Sequence, residues 1–290
     1  MPELTAHQAS GLAGLAEPTG PQLIAMVCRG EAQTELPVLW QLCGALCDLE
    51  YPVTVLDATQ WESDENPGLL QWLDCRIGVA HANAQWPGCA IVPGAGGIEQ
   101  FADAQQLQET ATLFGHDGVV ILYADTSTLV RLLAGTAVRP LLCACRERSS
   151  LLSGYQALKR LLQDGRLEPT ILNMMAGDEP ATSGAAQAPV HSDNLAECAR
   201  QFLGFDVNSI QFDSSRSVQH RSMQMCQLAM RLLENALPLQ ATPATSATTS
   251  AATSAVTASA HHSVHPSMHA SVPSSVSTFA TPSALLAPGI

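Results

Sequence analysis

The sequence predicts an α/β protein built on a doubly wound, mostly parallel sheet flanked by helices, with a disordered C-terminal tail. Two observations predict the domain and a third predicts the tail. From Gln22 onward, short apolar runs alternate with longer stretches of helical spacing, the order of successive βα units. The runs are apolar at consecutive positions, as in strands buried on both faces. From Gln240 to Ile290 the chain is almost wholly Ala, Ser, Thr, Pro, Val and His, without one charged residue. Such a stretch has too few large apolar groups to offset its ordering entropy.

Taken in order, residues 1–20 read as an N-terminal arm, "PELTAHQASGLAGLAE", ended by Pro18, Gly20 and Pro21. Residues 21–239 form the α/β domain and 240–290 the tail. The expected strands are "QLIAMVC", "PVTVLDA", "CAIVPG", "GVVILYAD", "PLLCAC" and "PTILNMM", with a further short one near "VNSIQFD". Helical spacing marks "LPVLWQLCGALCDLE", "GIEQFADAQQLQETATLFG", "STLVRLLAGT" and "SLLSGYQALKRLLQDG", the last stopped at Gly165. After a loop over 177–189 come "DNLAECARQFLGFD" and a last helix, "SVQHRSMQMCQLAMRLLENAL". In that helix Met223, Cys226, Met230, Leu233 and Leu237 form an apolar stripe expected to pack on the core.

Composition removes several classes of function. A formal charge of −13, from 26 acids against 13 bases, argues against nucleic acid and anionic lipid as partners. Lys159 is the one lysine, which excludes lysine chemistry near the N-terminus. No signal peptide or spanning helix is evident, so a cytoplasmic protein is expected. Nine cysteines at irregular spacing fit reduced thiols. Cys43 with Cys47, and Cys143 with Cys145, lack the further ligands of a metal site and read as small buried side chains. His261, His262, His265 and His269 fall in the tail and read as solvated. Ser127, Ser149 and Ser150 have no base at an interpretable spacing, and "PGAGG" at 93–97 reads as a tight turn after a strand.

The segment Leu23 to Ala58 has the order strand, loop, helix, strand and acid of a phosphate-binding unit. Its loop resembles, without a gap, the deviant Walker A pattern K-G-G-x-G-K-[ST] of the MinD/ParA superfamily of P-loop ATPases. On that alignment Gly30 stands at the signature lysine, Glu31 and Ala32 at two glycines, and Thr34 at the third. Glu35 stands at the phosphate lysine and Leu36 at the magnesium hydroxyl. Two glutamates thus face a site that would receive about four negative charges, and one close pair of like charges costs about 1 kcal/mol even in water. The glycines that admit phosphate to the backbone are absent too. Glu35 also has a plain reading, as an acid complementing the helix dipole.

The resemblance is closest to the flagellar-number regulators of the FlhG and FleN type. "CAIVPGAGGIEQFA" is similar to their L-P-A-G-S-G segment, "RERSSLLSGYQALKRLL" to their P-E-P-T-S-L-x-D-A-Y-A-L-I-K helix, and "TILNMM" to their V-V-N-M strand. "HQASGLAGL" resembles their D-Q-A-x-x-L-R motif, keeping Gln8, Ala9 and Leu12, with His7 and Ala13 at the acid and the arginine. The resemblance implies a MinD/ParA-like fold, a magnesium-organising acid at Asp57 and a base-proximal asparagine at Asn173. Alternatively Asp57 caps a turn and Asn173 satisfies a strand end. The switch acid of the family falls on Leu122, and Asp125 reaches that position only after a shift of three. Through Gln8 the arm would engage a signal-recognition-type GTPase; alternatively it is a short frayed helix. The family's membrane-binding C-terminal helix finds only Arg221 and Arg231 here, with Glu234 opposing, so membrane contact is weak or absent.

The expectation is a non-catalytic pseudo-ATPase that regulates by protein contact, with no ATP or magnesium as cofactor and an open oligomeric state. The alternatives are an active ATPase with an unorthodox loop and a spatial regulator of cell-envelope or polysaccharide secretion machinery.

Overall fold

The structure, a computed structural model, describes residues 20–75, 84–86, 88–114, 118–145, 147–175, 194–213 and 217–239, all within one unit, Met1–Thr245. Gln8, Ala9 and Leu12, the loop at 177–189 and the tail at 240–290 lie outside the described residues.

All seven expected strands are present, as β1 (Gln22–Cys28), β2 (Val53–Asp57), β4 (Cys89–Pro93), β5 (Val119–Asp125), β6 (Leu141–Ala144), β7 (Thr170–Met175) and β8 (Ser209–Asp213). Two short strands join them, β3 (Ala84–Trp86) and β9 (Leu237–Pro238). Among the described residues they make one sheet in the order β3-β4-β2-β5-β1-β6-β7-β8, with β9 against the start of β1. Only the pairings of β3 with β4 and β9 with β1 are antiparallel. Both added strands are too short to show a period, and pairing with an existing edge or end defines them.

Side chains alternate across β1. Leu23, Ala25 and Val27 face one layer of helices; Ile24 and Met26 face the other. The second layer consists of α1 (Ala32–Asp48) and α8 (Val218–Leu233). The first holds α2 (Leu69–Cys75), α3 (Ala95–Glu99), α4 (Ala104–Gln108), α5 (Thr126–Leu133), α6 (Arg148–Gln163) and α7 (Asn194–Cys198) with its π-helical continuation Ala199–Leu203. Helices on both faces explain why the strands read as unbroken apolar runs.

Two expectations about helices need correction. The stretch "GIEQFADAQQLQETATLFG" is not one helix but α3, α4 and a 3-10 turn, Ala111–Leu113. Polar side chains take the backbone groups that a continuous helix would use. Asp103 accepts from the Gln106 amide at 3.1 Å, the Thr110 hydroxyl donates to the Leu107 carbonyl at 2.7 Å, and Arg131 of α5 donates to the carbonyls of Ile98 and Phe101. In α8 the buried stripe is Met225, Leu228, Ala229 and Leu232, whereas Met223 is 54% and Met230 57% exposed. The helix is apolar on two sides, and the side carrying the small Ala229 is the one packed against β1, β8 and α1.

Candidate functional site: a phosphate-type loop closed by its own side chains

Strand β1 lies between the parallel strands β5 and β6, and the helices that follow β1 and β5 cross to opposite faces of the sheet, which opens at their carboxyl ends the crevice where open α/β sheets bind ligands. The connection from β1 to α1 is Arg29, Gly30 and Glu31. Gly30 has φ +81°, and a Cβ built there meets nothing within 4 Å. Glycine is required at this position by backbone conformation, not by a crowded neighbour.

Glu35 falls on the inward stripe of α1, in line with Val38, Leu39, Leu42 and Leu46. That placement buries it completely, at 0% exposure. Its Oε1 accepts from the Arg29 amide at 3.0 Å and its Oε2 from the Tyr123 hydroxyl at 2.8 Å. The Arg29 guanidinium, 3% exposed, lies between the two acids: Nη2 donates to Glu31 Oε2 at 2.9 Å, and Nε, without a hydrogen bond, forms an ion pair with Glu35 Oε1 at 3.5 Å. Its remaining donors reach the carbonyls of Cys143 at 2.5 Å and Ser150 at 2.8 Å, and the Ser153 hydroxyl at 2.8 Å. Ser153 in turn donates to Glu31 Oε1 at 2.7 Å. The dipole reading of Glu35 accounts for its sign but not its burial; the side chain is the internal counter-ion of Arg29.

The loop is bonded differently from a phosphate loop. The Thr34 and Glu35 amides, which a phosphate loop would turn toward the ligand, both donate to the Glu31 carbonyl at 2.9 Å as the first bonds of α1. Two carboxylates already hold the local cation, and Leu36, 37% exposed, offers no metal ligand. Burial above all, then Cys28 and Glu35, pushes the Tyr123 hydroxyl up, so it stays a donor to Glu35. Burial, with Glu35 adding to it, pushes the Cys143 thiol up to about 12, which makes it a packing group and not a nucleophile.

The other sequence-derived positions are not drawn into this network. Asp57 accepts from its own turn, the Thr59 amide at 2.9 Å and hydroxyl at 2.6 Å. Asn173 lies on β7, two strands from β1, and donates to the Ser209 hydroxyl at 2.8 Å. Leu122 is fully buried core. Asp125 caps α5, accepting from the Ser127 amide at 2.8 Å and the Thr128 amide at 3.1 Å. Ala32 is exposed on the first turn of α1. The turn at 93–97 is also filled from within: the Glu62 carboxylate accepts from the amides of Gly96 at 2.8 Å and Gly97 at 2.9 Å. Over the closed loop lies an open cleft of about 350 Å³ whose walls include Cys28, Gly30, Asp125, Ser153 and Arg160.

Asp125 carries a pH prediction. Burial alone would raise its carboxyl, but hydrogen bonds from Ser127 and Thr128 outweigh that and hold it below the usual range. A depressed folded-state value means stability present above the unfolded value and lost as pH falls through the folded one. Asp125→Ala is therefore expected to cost about 1 kcal/mol at neutral pH. The gap between variant and parent in urea unfolding should close in acid; a gap unchanged at the lowest accessible pH would rule out the charged cap.

Sequence reasoning missed Arg29, Tyr123, Ser150, Ser153 and Glu62. One signal was available: a glutamate in register with the apolar stripe of a helix, six residues after an arginine.

Together these features define a doubly wound α/β protein with a phosphate-type βα loop tied shut by an internal ion-pair network. No protein-family model and no curated protein matches the chain. Among solved structures it is similar to a chain of the MinC:MinD cell division protein complex of Aquifex aeolicus, at 12% identity over 76% of this chain and 98% of that one, TM-score 0.49. It is also similar to the MinD cell division protein of Aquifex aeolicus (14% identity, 76% and 100% covered, TM-score 0.45) and to a ParA family ATPase from Chlorobium tepidum (10%, 77% and 95%, 0.42). The fold itself is defined by the strand order and the two helix layers described above.

Proposed function

We propose that the chain is a MinD/ParA-like regulator that neither binds nor hydrolyses ATP at its βα loop and acts by protein contact. The observation that carries this reading is the buried Glu35 carboxylate, held by Arg29 and Tyr123 at the position aligned with the phosphate lysine. A loop stabilised by its own charges does not need a nucleotide to become ordered. The flagellar assignment, and engagement of a signal-recognition-type GTPase through Gln8, Ala9 and Leu12, rest on the sequence resemblance.

Calorimetric titration of ATP and ADP, with magnesium, into the full chain tests the proposal. No heat is expected at millimolar nucleotide, whereas a micromolar Kd would overturn it. The double variant Gly30→Lys with Glu35→Lys should be less stable without gaining binding. A lysine side chain at φ +81° carries about 1 kcal/mol of backbone strain, and a lysine in place of Glu35 would set a second cation beside Arg29 where its counter-ion now lies.

A further inference from the structure

Three thiols outside the closed loop meet where the last turns of α1 approach the start of β4. Cys43 and Cys47, one helical turn apart, share the face of α1 that packs on the sheet, and Cys89 belongs to the same layer. The Cys47 thiol donates to the Gly88 carbonyl, its sulfur 3.6 Å from the oxygen. That carbonyl belongs to the peptide bond leading into Cys89. A Cβ built on Gly88 would lie 3.5 Å from the same sulfur, and glycine there, at φ +85°, leaves no side chain beside it. Among the described residues no three His, Cys, Asp or Glu side chains are placed to hold a metal ion, so oxidation is the chemistry open to the cluster.

The three thiols differ in exposure and acidity. Cys43 and Cys89 are 1% and 4% exposed, whereas Cys47 is only partly buried and is the one that solvent reaches. A hydrogen bond from the Cys43 thiol outweighs burial at Cys89 and holds it below the usual thiol range, while that bond and then burial push Cys43 up. Burial, then Cys89 and Asp48, push Cys47 up, so it needs a reactive oxidant. An accessible thiol next to a more acidic one is the arrangement of a sensing cysteine and its resolving partner.

We infer that Cys47 and Cys89 are an oxidant-responsive pair that a peroxide converts into a disulfide joining the last turn of α1 to the start of β4. The Cys47 thiolate attacks one peroxide oxygen and breaks the O–O bond, leaving a sulfenic acid and, with the Cys47 proton, an alcohol or water. The Cys89 thiolate then displaces hydroxide from that sulfur, and the Cys89 proton leaves with it as water. Each sulfur gives up one electron and the peroxide gains both. Cys43 is a positioning residue, whose hydrogen bond favours the Cys89 thiolate.

The test treats the reduced full chain with hydrogen peroxide, alkylates the remaining thiols and maps its proteolytic peptides with and without reductant. A Cys47–Cys89 cross-link that reductant removes is expected, with a raised Tm for the oxidised chain. In Cys89→Ala the cross-link should be lost and dimedone should label Cys47 as the trapped sulfenic acid; in Cys47→Ala it should be lost with Cys89 unlabelled. Cys43→Ala should still form the bridge, more slowly. Oxidation in unfolding urea should scramble the pairing, because the fold brings these sulfurs together. The map of the parent chain decides without any variant having to fold. No bridge, a main product at another pair, or a Cys47–Cys89 bridge equally abundant in urea would overturn the proposal.

Discussion

Arg29→Met is expected to destabilise the protein by about 3–5 kcal/mol, because it leaves the Glu35 charge buried without its cation, and Glu35→Leu by less, because Arg29 keeps its ion pair with Glu31. The side chains are 3% and 0% exposed, so water cannot replace what is removed. Made together, the two substitutions should cost much less than the sum, since well-packed apolar groups can substitute for a buried pair with little loss. The residual cost reflects the carbonyls of Cys143 and Ser150, which lose a donor, and Glu31, which loses its cation. Urea unfolding of the four proteins of this cycle measures the coupling directly. Additive single effects below about 1 kcal/mol would show that the pair behaves like an exposed surface bridge, and the account of the closed loop would fall.

Gly68→Ala should be the second large effect, about 3 kcal/mol. A Cβ at this position would lie 2.1 Å from the Pro93 carbonyl oxygen, 2.9 Å from its carbon and 2.7 Å from the Glu62 Cγ. Two of those atoms are backbone at the end of β4, paired in the sheet with Asp57, and cannot retreat as a flexible side chain would. The displaced Glu62 would also release the Gly96 and Gly97 amides. Gly44→Ala is the matched control, being the same change at a helical glycine with nothing nearby, and should be stabilising. A Tm for Gly68→Ala within about a degree of the parent would mean that the 58–68 loop shifts freely and does not pin the end of β4.

The two predictions share a physical theme. At the start of α1 and in the turn at 93–97, two backbone amides each are taken from within the chain. At the first, Glu31 supplies its carbonyl; at the second, Glu62 supplies its carboxylate. This internal bonding at the carboxyl end of the sheet is what supports protein contact as the proposed mode of action.

Much of this was legible in the amino-acid order, and the remainder was not, for definite reasons. Consecutive apolar residues bounded by turn residues located β1, β2 and β4 to β7, since burial on both faces leaves a mark at nearly every position; β8, SIQFD at the edge of the sheet, gave a weaker signal. Glu31 and Glu35 at the junction of β1 and α1 were visible as acids without any coordinates. What contacts those glutamates was not visible. Arg29 meets Ser150 and Ser153 across more than 120 residues of chain, and Glu35 meets Tyr123 across 88. Only the strand order, which brings β5 and β6 to either side of β1, places them together. The same holds for the face of α8 that is buried. Its sequence is apolar on two sides, local spacing ranks them equally, and packing against α1 and the sheet decided that Met225, Leu228, Ala229 and Leu232 go inward.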